Sequence, residues 1–355
     1  MLAVVLALAA AIGYGGSDFA AGLATRAASV IQVTLLATVA SFVVTAAALP
    51  FAAGHPPTAA SLAWGAAAGL GSTLGAFALY LGFRYAPFSV AAPLSAVGTA
   101  GFSVLAGLLL GERPSGLALA GIVLALPAIV AVSAGAASDN PGLVPVPGPA
   151  AALAEVHPGP RAPAPDPGAA APGAVDSAGP GTTHSAGRPA AGVVAGLVAG
   201  LCFALLLVGL NRAGSGSGLW PVASAQVAEL VLAVAAAAVT RNMRLPGGWP
   251  GWQSAIAGAT GAAGAIVYFY ATHDGFLAVI AVLTSLYPAS TIVLARTVLG
   301  ERLTRLRLAG LGLAAVCVAL IAAGGAGLPG GGITPPRSEA TRRPVAAGRS
   351  RPGRW

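Results

Sequence analysis

Apolar runs of about twenty residues alternate with short polar breaks along residues 1–134, and the pattern resumes over 191–325. A helix rises about 1.5 Å per residue, so about 20 apolar residues cross a hydrocarbon core of roughly 30 Å. Ten runs meet that length: 2–22, 30–49, 61–82, 87–109, 115–134, 191–210, 219–240, 251–271, 275–299 and 306–325. The breaks carry turn and charge signals, such as Gly54-His55-Pro56-Pro57, Gly111-Glu112-Arg113-Pro114 and Gly300-Glu301-Arg302. The opening MLAVVLALAAA lacks the positive region of a signal peptide, so it reads as the first span, retained in the mature chain. Residues 135–190 are rich in Pro, Gly and Ala, have no periodicity, and read as a disordered linker. Residues 326–355 read as a disordered basic tail. The pattern predicts an all-α integral membrane protein of ten transmembrane helices, five on each side of the linker.

Composition agrees. The chain is 56% hydrophobic and only 8% charged, against about 25% charged in soluble domains. That excludes an ordinary soluble globule. The net charge of +8 comes from arginine alone, and six arginines (Arg337, Arg342, Arg343, Arg349, Arg351 and Arg354) lie in the tail. A basic tail on a membrane chain meets anionic lipid or marks the cytoplasmic side, rather than binding nucleic acid. Cys202 and Cys317 both sit in apolar segments, and His55, His157, His184 and His273 form no ligand-spaced cluster. No disulfide framework, metal site or cofactor is expected. No HExxH or GxSxG motif is present, so the chain is not read as an enzyme.

The two halves repeat. YLGFRYAPFSVAAPLSAVGTAGFSVLAGLLLGERPSGLALAG, from Tyr80, aligns without a gap on FYATHDGFLAVIAVLTSLYPASTIVLARTVLGERLTRLRLAG, from Phe269. Both copies contain LGER and both end LAG, at one offset of 189, which marks a duplication. Five spans is an odd number, so the second copy enters from the opposite face of the membrane. The expected architecture is therefore a pair of five-helix inverted repeats, with a small-solute site near mid-membrane between them.

On these residues the chain resembles the EamA type of the drug/metabolite transporter superfamily. The resemblance rests on Gly15-Gly16-Ser17-Asp18-Phe19 in the first span, on Gly111-Glu112-Arg113 and Gly300-Glu301-Arg302, and on Pro288 in the ninth span. It covers most of 1–325 outside the linker. It implies a secondary carrier of the bacterial inner membrane, often an exporter of amino acids, other metabolites or drugs, with both termini cytoplasmic. A channel and a scaffold or sensor protein are the competing readings. The lipid bilayer and a small-molecule solute are the implied partners, and a homodimer stays open.

Polar side chains at membrane depth are the candidate solute or coupling-ion groups, because a carboxylate in hydrocarbon must face a cavity or a partner. Asp18 lies in the last third of span one, beside Gly13, Gly15 and Gly16. Its bland reading is that span one ends near Gly16 and Asp18 is interfacial, or caps a broken helix. Glu229 sits in the middle of span seven, and Gln226, three residues earlier, shares its face. Arg296 could neutralise a carboxylate or bind an anion, or snorkel to the interface. Tyr14 and Tyr270 could line a polar cavity or join an aromatic girdle. Glu112 and Glu301 read as caps of the helix that follows each of them, paired with Arg113 and Arg302. Gly65/Gly69, Gly71/Gly75 and Gly107/Gly111 have the four-residue spacing of close helix contacts.

Orientation carries a conflict. With the termini inside, the short external loops hold more arginine than the internal ones, so loop counting favours the opposite topology. The tail and the resemblance favour cytoplasmic termini.

Overall fold

The computed structural model describes residues 1–52, 54–85, 88–139, 189–300 and 304–324. The proposed linker beyond Asp139, the tail from residue 325, and Glu301 and Arg302 lie outside the described residues. Described residues form helices joined by short turns, with no strand among them. The helices are α1 Leu2–Ala24, α2 Val30–Ala48, α3 Ala59–Tyr85, α4 Phe88–Leu109 and α5 Gly116–Asp139 in the first half. The second half holds α6 Pro189–Arg212, α7 Trp220–Val239, α8 Gly248–Asp274, α9 Leu277–Thr284, α10 Tyr287–Leu299 and α11 Arg305–Gly324. Among the described residues nine helices are long and apolar enough to cross a membrane, counting α9 and α10 as one, and α4 adds a shorter apolar stretch, Leu94–Leu109.

The duplication reappears in the helix boundaries. Ala59, Phe88 and Gly116 open α3, α4 and α5, and Gly248, Leu277 and Arg305 open their counterparts, each 189 residues later. Pairings come in exchanged couples. α1 packs on α8, and its counterpart α6 packs on α3; α2 packs on α8, and α7 on α3; α1 packs on α9 and α10, and α6 on α4. α5 packs on its own counterpart α11. Each half thus completes its core with helices of the other half.

Directions follow from the contacts. Tyr268 Oη donates to the Leu207 carbonyl at 3.0 Å, and Asn211 Nδ2 donates to the Thr272 carbonyl at 3.0 Å, so α6 and α8 run parallel. A Cβ built on Gly275 meets Ala3, on Gly13 meets Gly264, and on Gly261 meets Ser17, so α1 runs against α8. The equivalent helices α1 and α6 therefore point in opposite directions.

Small residues make these crossings possible. A Cβ on Gly13 would stand 2.8 Å from Gly264 Cα. A Cβ on Gly69 collides with the Ala225 carbonyl, and one on Gly258, the 189-offset equivalent, collides with the Ala37 carbonyl. Without a hydrophobic drive between helices in lipid, such backbone approach supplies the dispersion contacts that hold the bundle.

One span departs from regular helix. Ser285 and Leu286 interrupt α9 and α10, where a single span over 275–299 is expected from hydropathy. Pro288 sits in the first turn of the new helix. It has no N–H to give the Thr284 carbonyl, and its ring suits the first turn of a new helix. The equivalent position in the first half is Thr99, and α4 runs through it without a break.

Candidate functional site

A cavity of about 190 Å³ lies between the halves. Its walls come from α1, α2, α3, α4, α6, α7 and α8, and from the α9–α10 break. Four of the expected residues line it: Tyr14, Asp18, Gln226 and Glu229. α1 passes through Asp18 unbroken to Ala24, so the reading in which span one ends near Gly16 is corrected: small residues at Gly13, Gly15 and Gly16 serve contacts with α8 and α10, not a helix end. Glu229 lies one turn after Gln226 on α7, and the Ser72 hydroxyl of α3 bonds its side chain. Tyr14 is within electrostatic reach of Glu229, and Tyr287 within reach of Asp18.

Two expected residues are elsewhere. Tyr270 is 41% exposed on the outer face of α8, and Arg296 is exposed in the last turn of α10; neither lines the cavity. Neighbouring Tyr268 points inward to Leu207. His273 and Asp274 form the last turn of α8, and His273 Nδ1 lies 2.6 Å from the Phe269 carbonyl.

The cavity walls hold polar atoms without protein partners. Tyr14 Oη, Thr34 Oγ1, Gln226 Oε1, Thr284 Oγ1 and Ser285 Oγ are buried, and none is hydrogen-bonded within the protein. Buried polar groups are almost always paired, because leaving one bare costs about 1–3 kcal/mol. Five such atoms belong to residues that line one space. Thr284 and Ser285 are there because of the break ahead of Pro288. Sequence reading missed them, and also Ser17, Thr34, Thr38, Ser72 and Thr99, since single hydroxyls are common in membrane helices. The TSLYP run was the available signal.

Below the cavity α9 plugs the bundle. Leu277 through Leu283 are completely buried. Its N-terminus is held by Glu112, from the turn between α4 and α5. The Leu277 N–H donates to Glu112 Oε1 and the Ala278 N–H donates to Oε2 at 2.8 Å. This corrects the expectation that Glu112 caps the helix after it: Ser115 does that, accepting from the Ala118 N–H at 3.2 Å. Glu112 is carried past α5 because Gly111 turns the chain with φ at +90°, a conformation that favours glycine. Gly107 leaves room, since a Cβ there would strike Glu112 Oε2. Arg113 is exposed. Gly300, also left-handed at φ +69°, ends α10 as Gly111 ends α4.

A carboxylate at a helix N-terminus satisfies orphan N–H groups and opposes the dipole. Burial pushes the Glu112 carboxyl up from its usual range, and the N–H groups of Ala278 and Leu277 pull it down; the net shift is upward. Ionised Glu112 is therefore less favourable in the fold than in the unfolded chain. Its contribution to stability declines as pH rises past the ordinary carboxylate range. Removing the side chain is a separate matter. Glu112→Ala leaves two α9 N–H groups without acceptors, and we expect a loss of about 1–3 kcal/mol. A thermal melt of the purified protein in detergent measures it, and a midpoint equal to wild type would contradict the clamp.

A model of the EamA-like transporter family matches residues 1–134 and 190–323. The chain belongs to the EamA-like transporter family. It is thus a membrane transporter of the drug/metabolite transporter type, and the two matched stretches are the two repeats. The fold of this chain is also similar to that of a protein solved by crystallography. That structure is 19% identical to this chain with a TM-score of 0.51, over 89% of this chain and 94% of the other. At that identity the likeness concerns the fold alone. No curated protein matches the chain.

Proposed function

We propose that this EamA-like protein is a secondary active exporter of a small metabolite, working by alternating access with proton coupling. The observation that carries the reading is the cavity between the halves, with Asp18, Glu229 and five unpartnered polar atoms in its wall. A volume near 190 Å³ falls below the roughly 300–1,000 Å³ of sites for drug-sized ligands. A space of that size favours a metabolite over a drug. Opposed directions of α1 and α6 support an inverted pair of five-span halves, ten spans in all. In that arrangement a rocking motion would exchange the roles of equivalent helices around a fixed site.

Glu229 is the proposed proton-exchanging group, with Asp18 facing the same space. The deciding experiment uses sealed vesicles with an imposed pH gradient, a trapped pH dye and labelled small metabolites. Accumulation that collapses when the gradient is dissipated supports the reading. Equilibration without a gradient, or sustained unitary currents, would replace it with a channel.

The proposed location is the bacterial inner membrane with cytoplasmic termini. Single cysteines introduced at Asn242 and at Arg113, on opposite faces in this topology, report it through an impermeant maleimide. On a Cys202→Ser, Cys317→Ser background, cytoplasmic termini predict labelling of intact cells at position 242 and not at 113. The reverse pattern would adopt the topology that loop counting favours.

A further inference from the structure

We propose that the cavity binds a small organic cation bearing several N–H donors, a primary ammonium or a guanidinium, and selects against carboxylates. This rests on the reading of the cavity as the solute site.

The charges argue first. Among the described residues the lining holds two carboxylates, Asp18 and Glu229, and no Arg or His. A carboxylate removed from water requires a counter-charge or a proton. The exposed Arg296 does not reach the lining. The α9–α10 break brings two helix ends to the wall, through Thr284, Ser285 and Tyr287. They have opposite signs, about half a charge each, so their fields largely cancel. The wall is left electronegative.

Hydrogen-bond capacity argues second and independently. The Gln226 amide, on a side chain 5% exposed, has one end without a protein partner and can turn its oxygen to a donor. The Thr284 carbonyl is deprived of its regular helical donor by Pro288. Unpartnered hydroxyls at Thr34, Thr284 and Ser285 can accept as well as donate. An ammonium has three donors and a guanidinium five, with no acceptor. A carboxylate has only acceptors, and would face two acidic groups with no Arg or His among the described lining residues to balance it. Third, the aromatic rings of Tyr14, Phe203 and Tyr287 line the same space, and cations are attracted to such faces.

The test compares three probes of one size, n-butylammonium, n-butanol and butyrate, binding to the purified full chain in detergent at neutral pH. Saturation-transfer NMR gives the affinities, and the Asp18→Asn, Glu229→Gln double variant is measured beside wild type. The expected result is butylammonium at least tenfold tighter than butyrate and butanol, with that preference lost in the variant lacking both carboxylates. Butyrate or butanol binding as tightly as butylammonium overturns the class assignment and leaves the solute site standing. A preference for butylammonium that survives in the double variant also overturns it, since the carboxylates would not be its source. Binding of none of the probes removes the solute site itself, and the cation assignment with it. Thermal melts of the double variant and wild type confirm that the compared proteins are folded.

Discussion

Glu229→Gln is expected to reduce gradient-driven accumulation at least tenfold and to flatten its dependence on pH. Gln keeps the size of Glu and still accepts a bond from Ser72, which holds the native side chain. What it loses is the ability to carry a proton. The other groups that titrate in this wall are Asp18, Tyr14 and Tyr287. Phenols stay neutral across the physiological range, so Asp18 is the single competing carboxyl. The comparison with Asp18→Asn is therefore decisive. If Glu229→Gln transports with an unchanged pH profile while Asp18→Asn does not, the coupling role passes to Asp18. If both keep the wild-type profile, proton coupling through this cavity is wrong.

A second large effect is expected from the helix crossings. Gly69→Leu and Gly258→Leu should each prevent recovery of a monodisperse protein. At both positions the first atom added meets a backbone carbonyl of a neighbouring helix, Ala225 or Ala37, and not a movable side chain. Overpacking costs about 1–3 kcal/mol where side chains can yield; here whole helices must separate. Gly312→Leu is the control, because a side chain there meets open space. Size-exclusion profiles and detergent melts of the three proteins make the comparison. A Gly258→Leu protein with wild-type yield and midpoint would mean that α2 and α8 are not locked by this contact.

These two sets of residues differ in how visible they are in the sequence. The helices are legible because hydrocarbon imposes a length and a composition on each span. The 189-residue offset is legible because LGER and LAG are written twice, and the helix starts keep that register. Glu229, Gln226 and Asp18 stand out because polar groups are rare at that depth. Arg296 and Tyr270 stand out for the same reason and are elsewhere, since periodicity cannot tell which side of an all-apolar helix faces the other half. The partner of Glu112 is invisible for a different reason. Its contacts at Leu277 and Ala278 are backbone N–H groups, and every residue but proline has one.

The halves differ in backbone shape at one described pair of helices. α4 runs through Thr99, whereas its counterpart is divided just ahead of Pro288, where Thr284 and Ser285 line the cavity. In a carrier made of two identical halves, the states open to either side would be mirror equivalents with equal free energy, each populated half the time. The divided helix is one of the differences between the halves that remove that degeneracy. Pro288 thus marks one of the places where the two copies of the duplication have parted in backbone shape and not only in side chains.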